Sequence, residues 1–126
     1  MQAAASEWLE KAEGDYITAQ REYRARKSPN FDAACFHAQQ CAEKYLKGYL
    51  QELNISFQKT HDLVRLLDLV PAAPGLKAMR AHMAILSSYA VEFRYPGEEA
   101  SREVAKEAIV LCRTIRTEVR SLLGLG

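Results

Sequence analysis

Phe36-His37-Ala38-Gln39-Gln40-Cys41-Ala42-Glu43-Lys44-Tyr45-Leu46-Lys47 is the stretch that decides the fold. Ala38, Ala42, Tyr45 and Leu46 recur at steps of one, three and four, the spacing that lines one face of an α-helix. The same face runs outward through Phe31, Ala34 and Cys35 on one side and Tyr49 and Leu53 on the other. The spacing therefore predicts a helix over about 31–53, with Asn54 as its stop.

Apolar residues keep this spacing almost everywhere else, and no segment alternates with the period of a strand. A first helix is expected from about Ser6 to Arg26, with Ser6 as N-cap and Ala5, Trp8, Leu9, Ala12, Tyr16, Ala19 and Tyr23 as its stripe. Lys27-Ser28-Pro29-Asn30 ends it and caps the next. A short helix from His61 to about Leu69 buries Leu63, Leu66, Leu67 and Val70, and the Pro/Gly-bearing segment 70–75 breaks it. Leu76, Met79, Met83, Leu86 and Ala90 predict a fourth helix that stops before Pro96. The last begins near Ser101, buries Val104, Ala108, Leu111, Cys112, Ile115, Val119 and Leu122, and ends at Gly124. The expectation is one all-α domain over 1–126, an up-and-down bundle of four long helices plus one short helix.

At 126 residues the chain is long enough for one good core. Its 17 basic and 16 acidic side chains leave a net charge of +1, so no global field draws it to nucleic acid or an anionic membrane, and any anion must be held locally. No apolar run approaches the ~20 residues that cross a bilayer, and no secretory signal opens the chain, so a cytoplasmic protein without membrane contact is expected. Cys35, Cys41 and Cys112 form an odd set without CxxC spacing, which predicts buried free thiols. His37, His61 and His82 have no metal-ligand spacing, and no P-loop or nucleophile elbow is present.

Chemistry concentrates in three places. His37, Gln40 and Lys44, with Gly48, fall within about a sixth of a turn of one another beside the apolar stripe of the second helix. Imidazole, carboxamide and ammonium together can hold a phosphate, although the same ridge can be a solvated flank. Lys47 lies further round and can be a surface partner of Glu43 at i+4. Lys59-Thr60-His61-Asp62 opens the third helix, where free N–H groups favour an anion, or where Thr60 merely caps. Phe93-Arg94-Tyr95-Pro96-Gly97 presents Arg94 beside aromatic rings from a stiff turn, or plugs the bundle end.

These three pieces, in this order, together with Trp8, Asp15 and the Ala-rich last helix, resemble the HEPN domain family, whose name stands for higher eukaryotes and prokaryotes nucleotide-binding. The resemblance covers nearly the whole chain. It implies a helical bundle, commonly a homodimer, often encoded beside a small nucleotidyltransferase in prokaryotic two-gene, toxin–antitoxin-like modules. Many relatives are metal-independent RNases that use an Arg and a His separated by four to six residues, brought together at a dimer interface. Here Arg94 stands in the matching place and no His follows within that window, while Arg80 and His82 are only two apart.

The sequence is thus read as a non-catalytic or weakly catalytic nucleotide-binding and interaction module working with a nucleotidyltransferase, since the Arg-to-His motif is incomplete. It is expected to need no cofactor, with ATP or GTP as a ligand. His37, Gln40, Lys44, Lys47, Lys59, His61, Arg94 and Tyr95 are the expected anion-binding residues. The alternatives are an RNase toxin, in which His37 or His61 meets Arg94 against RNA, and a scaffold that dimerises through Phe36 and Leu50.

Overall fold

The computed structural model describes residues 1–126 and contains α1 (Ala3–Arg24), α2 (Phe31–Glu52), α3 (Leu63–Leu69), α4 (Pro74–Lys77), α5 (Arg80–Ser88), a 3-10 turn (Glu92–Arg94) and α6 (Arg102–Leu122). There is no strand, and no helix is long and apolar enough to cross a membrane.

Side-chain pairs fix the packing directions. Gln2 bonds Glu52, Asp15 bonds Lys44, and Asn30 N–H reaches Glu22 O, so α1 and α2 run antiparallel. Asp32 accepts from Ala100 N–H while Arg120 reaches the Tyr45 hydroxyl, so α6 runs parallel to α2. Gly75 lies against Glu118, and Tyr89 lies beside Phe36 on one groove, so the segment between them runs against α6. The up-and-down order is therefore present, with α2 central and the short helix α3 where it is expected, but two short helices, α4 and α5, replace the third long member.

That replacement is the main departure from the expected elements. Leu76, Met79, Met83 and Leu86 are all buried, as the spacing predicts. However, Met79 N–H bonds Leu76 O and α5 restarts from Met79, so one tight i→i+3 turn splits the helix. Steps of three and four fit two short helices offset by a turn as well as one long helix.

Caps differ where the sequence offers rivals. Gln2, tied to Glu52 and Asn54, precedes α1, and Ser6 lies inside the helix. Asn30 caps α2 by accepting from Ala33 N–H, and Ser101 caps α6 by accepting from Val104 N–H. Asn54 adopts a left-handed φ of 57° after α2, and Gly124 does so at 74° after α6.

The core joins α1, α2, α3, α5 and α6 around Tyr45, Leu46, Leu50, Leu66, Met83 and Ile115. Each such large apolar side chain stabilises by roughly 1.5–3 kcal/mol when fully buried. Leu50 is wholly inside this core, so the dimer surface expected from Phe36 and Leu50 does not exist. Leu122 is 41% exposed rather than buried. Gly48 sits against α1, where a Cβ would meet Leu9 Cδ1 at 2.4 Å and Trp8 Cβ at 3.2 Å, so its lack of a side chain admits a helix rather than a ligand. All three cysteines are free and buried.

Candidate anion-binding site

The eight expected residues do not form one site. Six of them fall into two internal carboxylate clusters and the Arg94 groove, and two stand apart.

The first cluster is built on Asp15 of α1, which faces the polar ridge of α2. His37 Nδ1 donates to Asp15 Oδ1 at 2.8 Å, and Lys44 Nζ donates to Asp15 Oδ2 at 2.6 Å. One carboxylate thus neutralises the cation that the ridge was expected to offer a phosphate. A carboxylate only accepts, so the proton sits on Nδ1 and Nε2 is left as the ring's unpartnered nitrogen.

Glu43 carries the second cluster, and its side chain is only 4% exposed. Its Oε1 accepts from His61 Nδ1 at 2.8 Å, Gln39 Nε2 at 3.2 Å and Gln40 Nε2 at 3.3 Å, and its Oε2 accepts from Lys47 Nζ at 3.0 Å. Lys47 is buried and lies 5.4 Å from the Trp8 ring centroid, so it is no surface residue. Gln39 also donates to His61 O at 2.9 Å, which pins the 53–62 connection onto α2. This cluster is a structural latch in which Gln39, Gln40, Lys47 and His61 each donate to Glu43.

The third-helix start is likewise occupied from within. Asp62, not Thr60, is the N-cap: its Oδ1 accepts from Val64 and Arg65 N–H, so the helix already has its anion. Thr60 Oγ1 instead accepts from Asp62 N–H. Lys59 is exposed and has no ion-pair partner. Tyr95 is 66% exposed.

Arg94 differs from the rest. Its guanidinium lies 5.1 Å from the Phe36 ring centroid and joins none of the ion pairs. Phe36 in turn packs edge-on against His37, with centroids 5.3 Å apart. Arg94, Phe36, His37, Phe93, Asn30 and Asp32 line an open groove of about 360 Å³ between α2 and the 3-10 turn. Tyr89 stands at its wall, tilted against Phe93 at 5.3 Å between centroids, and burial raises its hydroxyl above the ordinary 10.0. Asp32, the groove's own carboxylate, accepts from Ala100 N–H at 2.7 Å and so holds the segment that follows Pro96. The fold therefore brings His37 and Arg94 to one groove and leaves His61 elsewhere.

Asp15, Glu43 and Phe36 are the residues whose roles the sequence conceals. A lone Asp beside an apolar stripe signals a buried partner, but nothing in the sequence names which cation it meets. No group of three His, Cys, Asp or Glu is arranged to hold a metal ion. The groove can hold an anion against Arg94, accept or give a proton at His37, and stack a flat ring on Phe93.

A family model described as HEPN domain matches residues 5–122. No curated protein matches the chain by sequence. The crystal structure of TT1696 from Thermus thermophilus is similar at a TM-score of 0.82 and 25% identity, covering 95% of this chain and 98% of that one. ST0689, described as an archaeal HEPN homologue, is similar at a TM-score of 0.76 and 25% identity, covering 97% and 98% respectively.

Proposed function

The chain belongs to the HEPN domain family, and on that premise we propose that it binds the phosphate of a nucleotide such as ATP or GTP in the groove between α2 and the 3-10 turn. The observation that carries this reading is Arg94, a cation whose guanidinium lies 5.1 Å from the Phe36 ring centroid without a carboxylate partner, in a groove it shares with His37. A guanidinium so placed keeps its N–H fork free for phosphate oxygens. Lys44, Lys47 and His61 contribute through Asp15 and Glu43, by shaping α2, rather than by touching the ligand.

Titration calorimetry with ATP and GTP tests this. Arg94→Ala should weaken binding at least about tenfold, the loss of one charge-assisted hydrogen bond, whereas Lys47→Met should leave the affinity of the folded fraction unchanged. Equal affinity in wild type and Arg94→Ala would remove the site. The same proposal places the chain in the cytoplasm as a homodimer beside a small nucleotidyltransferase, supported by the family resemblance. Analytical ultracentrifugation and a pull-down with mass spectrometry test those two associations.

The Asp15–His37 bond favours a second reading, RNA cleavage. His37 Nδ1 is held by a carboxylate and Nε2 is unpartnered, the arrangement that lets an imidazole take a proton from a 2′-hydroxyl while Arg94 holds the phosphate. Purified protein that leaves RNA intact, or a His37→Ala variant that cleaves as fast as wild type, would exclude it.

A further inference from the structure

The Arg94 groove carries its own carboxylate, which a site for phosphate alone does not need. Asp32 lines it together with Arg94, Asn30, Phe36, Tyr89 and Phe93. The carboxylate and the guanidinium do not neutralise each other, since neither Asp32 nor Arg94 joins an ion pair. A carboxylate repels a phosphate. The ligand that suits both charges therefore has a phosphate in one part and N–H donors in another.

Asp32 is half committed. Its Oδ1 accepts from Ala100 N–H at 2.7 Å, and no group of the protein donates to Oδ2. That bond ties α2 to the segment after the 3-10 turn, so the carboxylate is anchored at one oxygen and open at the other. Asn30 is committed in the same way. Its Oδ1 accepts from Ala33 N–H at 2.9 Å and caps α2, while Nδ2 donates to no group of the protein. The lining thus offers an open carboxylate oxygen and an open amide donor.

Bases differ in how they place their donors. Guanine alone among the common bases sets two N–H donors side by side, N1–H and the N2 amino group, with the O6 acceptor next to them. Adenine and cytosine each place an acceptor nitrogen beside their one amino group, and uracil flanks its single N3–H with two carbonyls. A carboxylate oxygen attracts guanine's paired donors and repels the acceptor that adjoins the donor on the other three. The Asn30 amide is the kind of donor that O6 accepts. Phe36, Tyr89 and Phe93 supply apolar lining to the groove of about 360 Å³, with the Tyr89 and Phe93 ring centroids 5.3 Å apart, as suits a flat heterocycle.

We propose that the Arg94 groove selects guanine nucleotides, with Asp32 Oδ2 accepting from the guanine N1–H and N2 amino group while Arg94 holds the phosphate. The proposal rests on the phosphate-binding reading of Arg94 and adds the base to it. Asp32 is the residue that determines specificity, and its bond to Ala100 N–H holds it ready before the ligand arrives.

The test is titration calorimetry of wild type, Arg94→Ala and Asp32→Asn with GTP, ITP, ATP and XTP. ITP lacks guanine's amino group, and XTP carries a carbonyl oxygen in its place. Wild type should bind GTP at least about tenfold more tightly than ATP or XTP, the worth of one charge-assisted hydrogen bond, with ITP between. In Asp32→Asn the Ala100 N–H still needs an acceptor, so the amide oxygen stays there and Nδ2 replaces Oδ2, a donor for an acceptor. GTP should then weaken at least about tenfold, while XTP, whose O2 now meets a donor, should tighten. Circular dichroism melts check that the variants keep the fold, and the wild-type ranking needs no variant. Equal wild-type affinity for GTP and ATP, with both weakened by Arg94→Ala, would overturn guanine selection and leave the phosphate site standing. GTP and XTP affinities unchanged by Asp32→Asn would overturn the role of Asp32. Wild type that binds none of the four would refute the phosphate reading and this proposal together.

Discussion

Glu43→Gln is the perturbation with the most to say about why α2 carries so many polar groups. The carboxylate takes three bonds at Oε1 and one, from Lys47, at Oε2. A glutamine can keep its oxygen toward Gln39, Gln40 and His61, but its NH2 then faces the Lys47 ammonium across 3.0 Å, donor against donor. Lys47 is 7% exposed at its side chain, so water cannot replace the lost acceptor without a rearrangement. Breaking one side of a buried pair costs about 3–5 kcal/mol. His61, 66% exposed at its side chain, loses less because water is at hand, so a figure near the lower end, about 3 kcal/mol, is expected. For a chain of this length that lowers Tm by roughly 10 °C. Glu43→Gln, Lys47→Met should recover most of the loss, because the oxygen still accepts from Gln39, Gln40 and His61 while no buried ammonium is left without an acceptor. Thermal and urea unfolding of the two single variants and the double variant measures this. A Glu43→Gln cost below about 1 kcal/mol, together with a Lys47→Met variant of full stability that no longer binds nucleotide, would refute the latch and restore Lys47 as a ligand.

Other outcomes follow from the same structure. Asp62→Ala removes the acceptor for Val64 and Arg65 N–H and should destabilise by about 1 kcal/mol in urea unfolding, whereas Thr60→Ala should cost less. The bidentate bond from Arg116 holds Glu13 below its ordinary 4.5, helped by Tyr45 and Arg120 and opposed by burial. That stability is complete above pH 4.5 and is lost as pH falls through the depressed value, so Glu13→Gln should flatten the acid limb of a stability–pH curve below 4.5. Burial, with the charges of Asp32 and Glu92, pushes the Cys35 thiol up to about 12, and burial with the Cys112 thiol raises Cys41 well above 9.0. All three thiols are buried, so iodoacetamide at about pH 8 should label no cysteine in the native protein and all three in urea, as mass spectrometry will read.

The helices were legible because burial writes itself into spacing. Tyr45, Leu46, Met83 and Ile115 point inward where the periodicity places them. The split near Met79 was not legible, since an i→i+3 turn preserves the apolar face while breaking the hydrogen-bond ladder. The Glu43–Lys47 pair was legible from its i+4 spacing, but not that both groups are buried. Lys47 and Arg94 are both cations beside aromatic residues in the sequence, but Glu43 lies four residues before Lys47 on the same helix, and no acid reaches Arg94. Charge pairing across helices, such as Asp15 with His37 and Lys44, depends on how α1 lies on α2, and Gly48 sets that approach without naming the partners.

The most direct test of the account is a nuclear magnetic resonance titration of the isotope-labelled protein with ATP, following backbone amides, Arg Nε–H and Lys side-chain signals together. The largest shifts should fall on Arg94 Nε–H and on the amides of Phe36, His37 and Phe93, with the Lys44 and Lys47 signals nearly still. Shifts centred on Lys47, His61 and Lys59, with Arg94 unmoved, would contradict it.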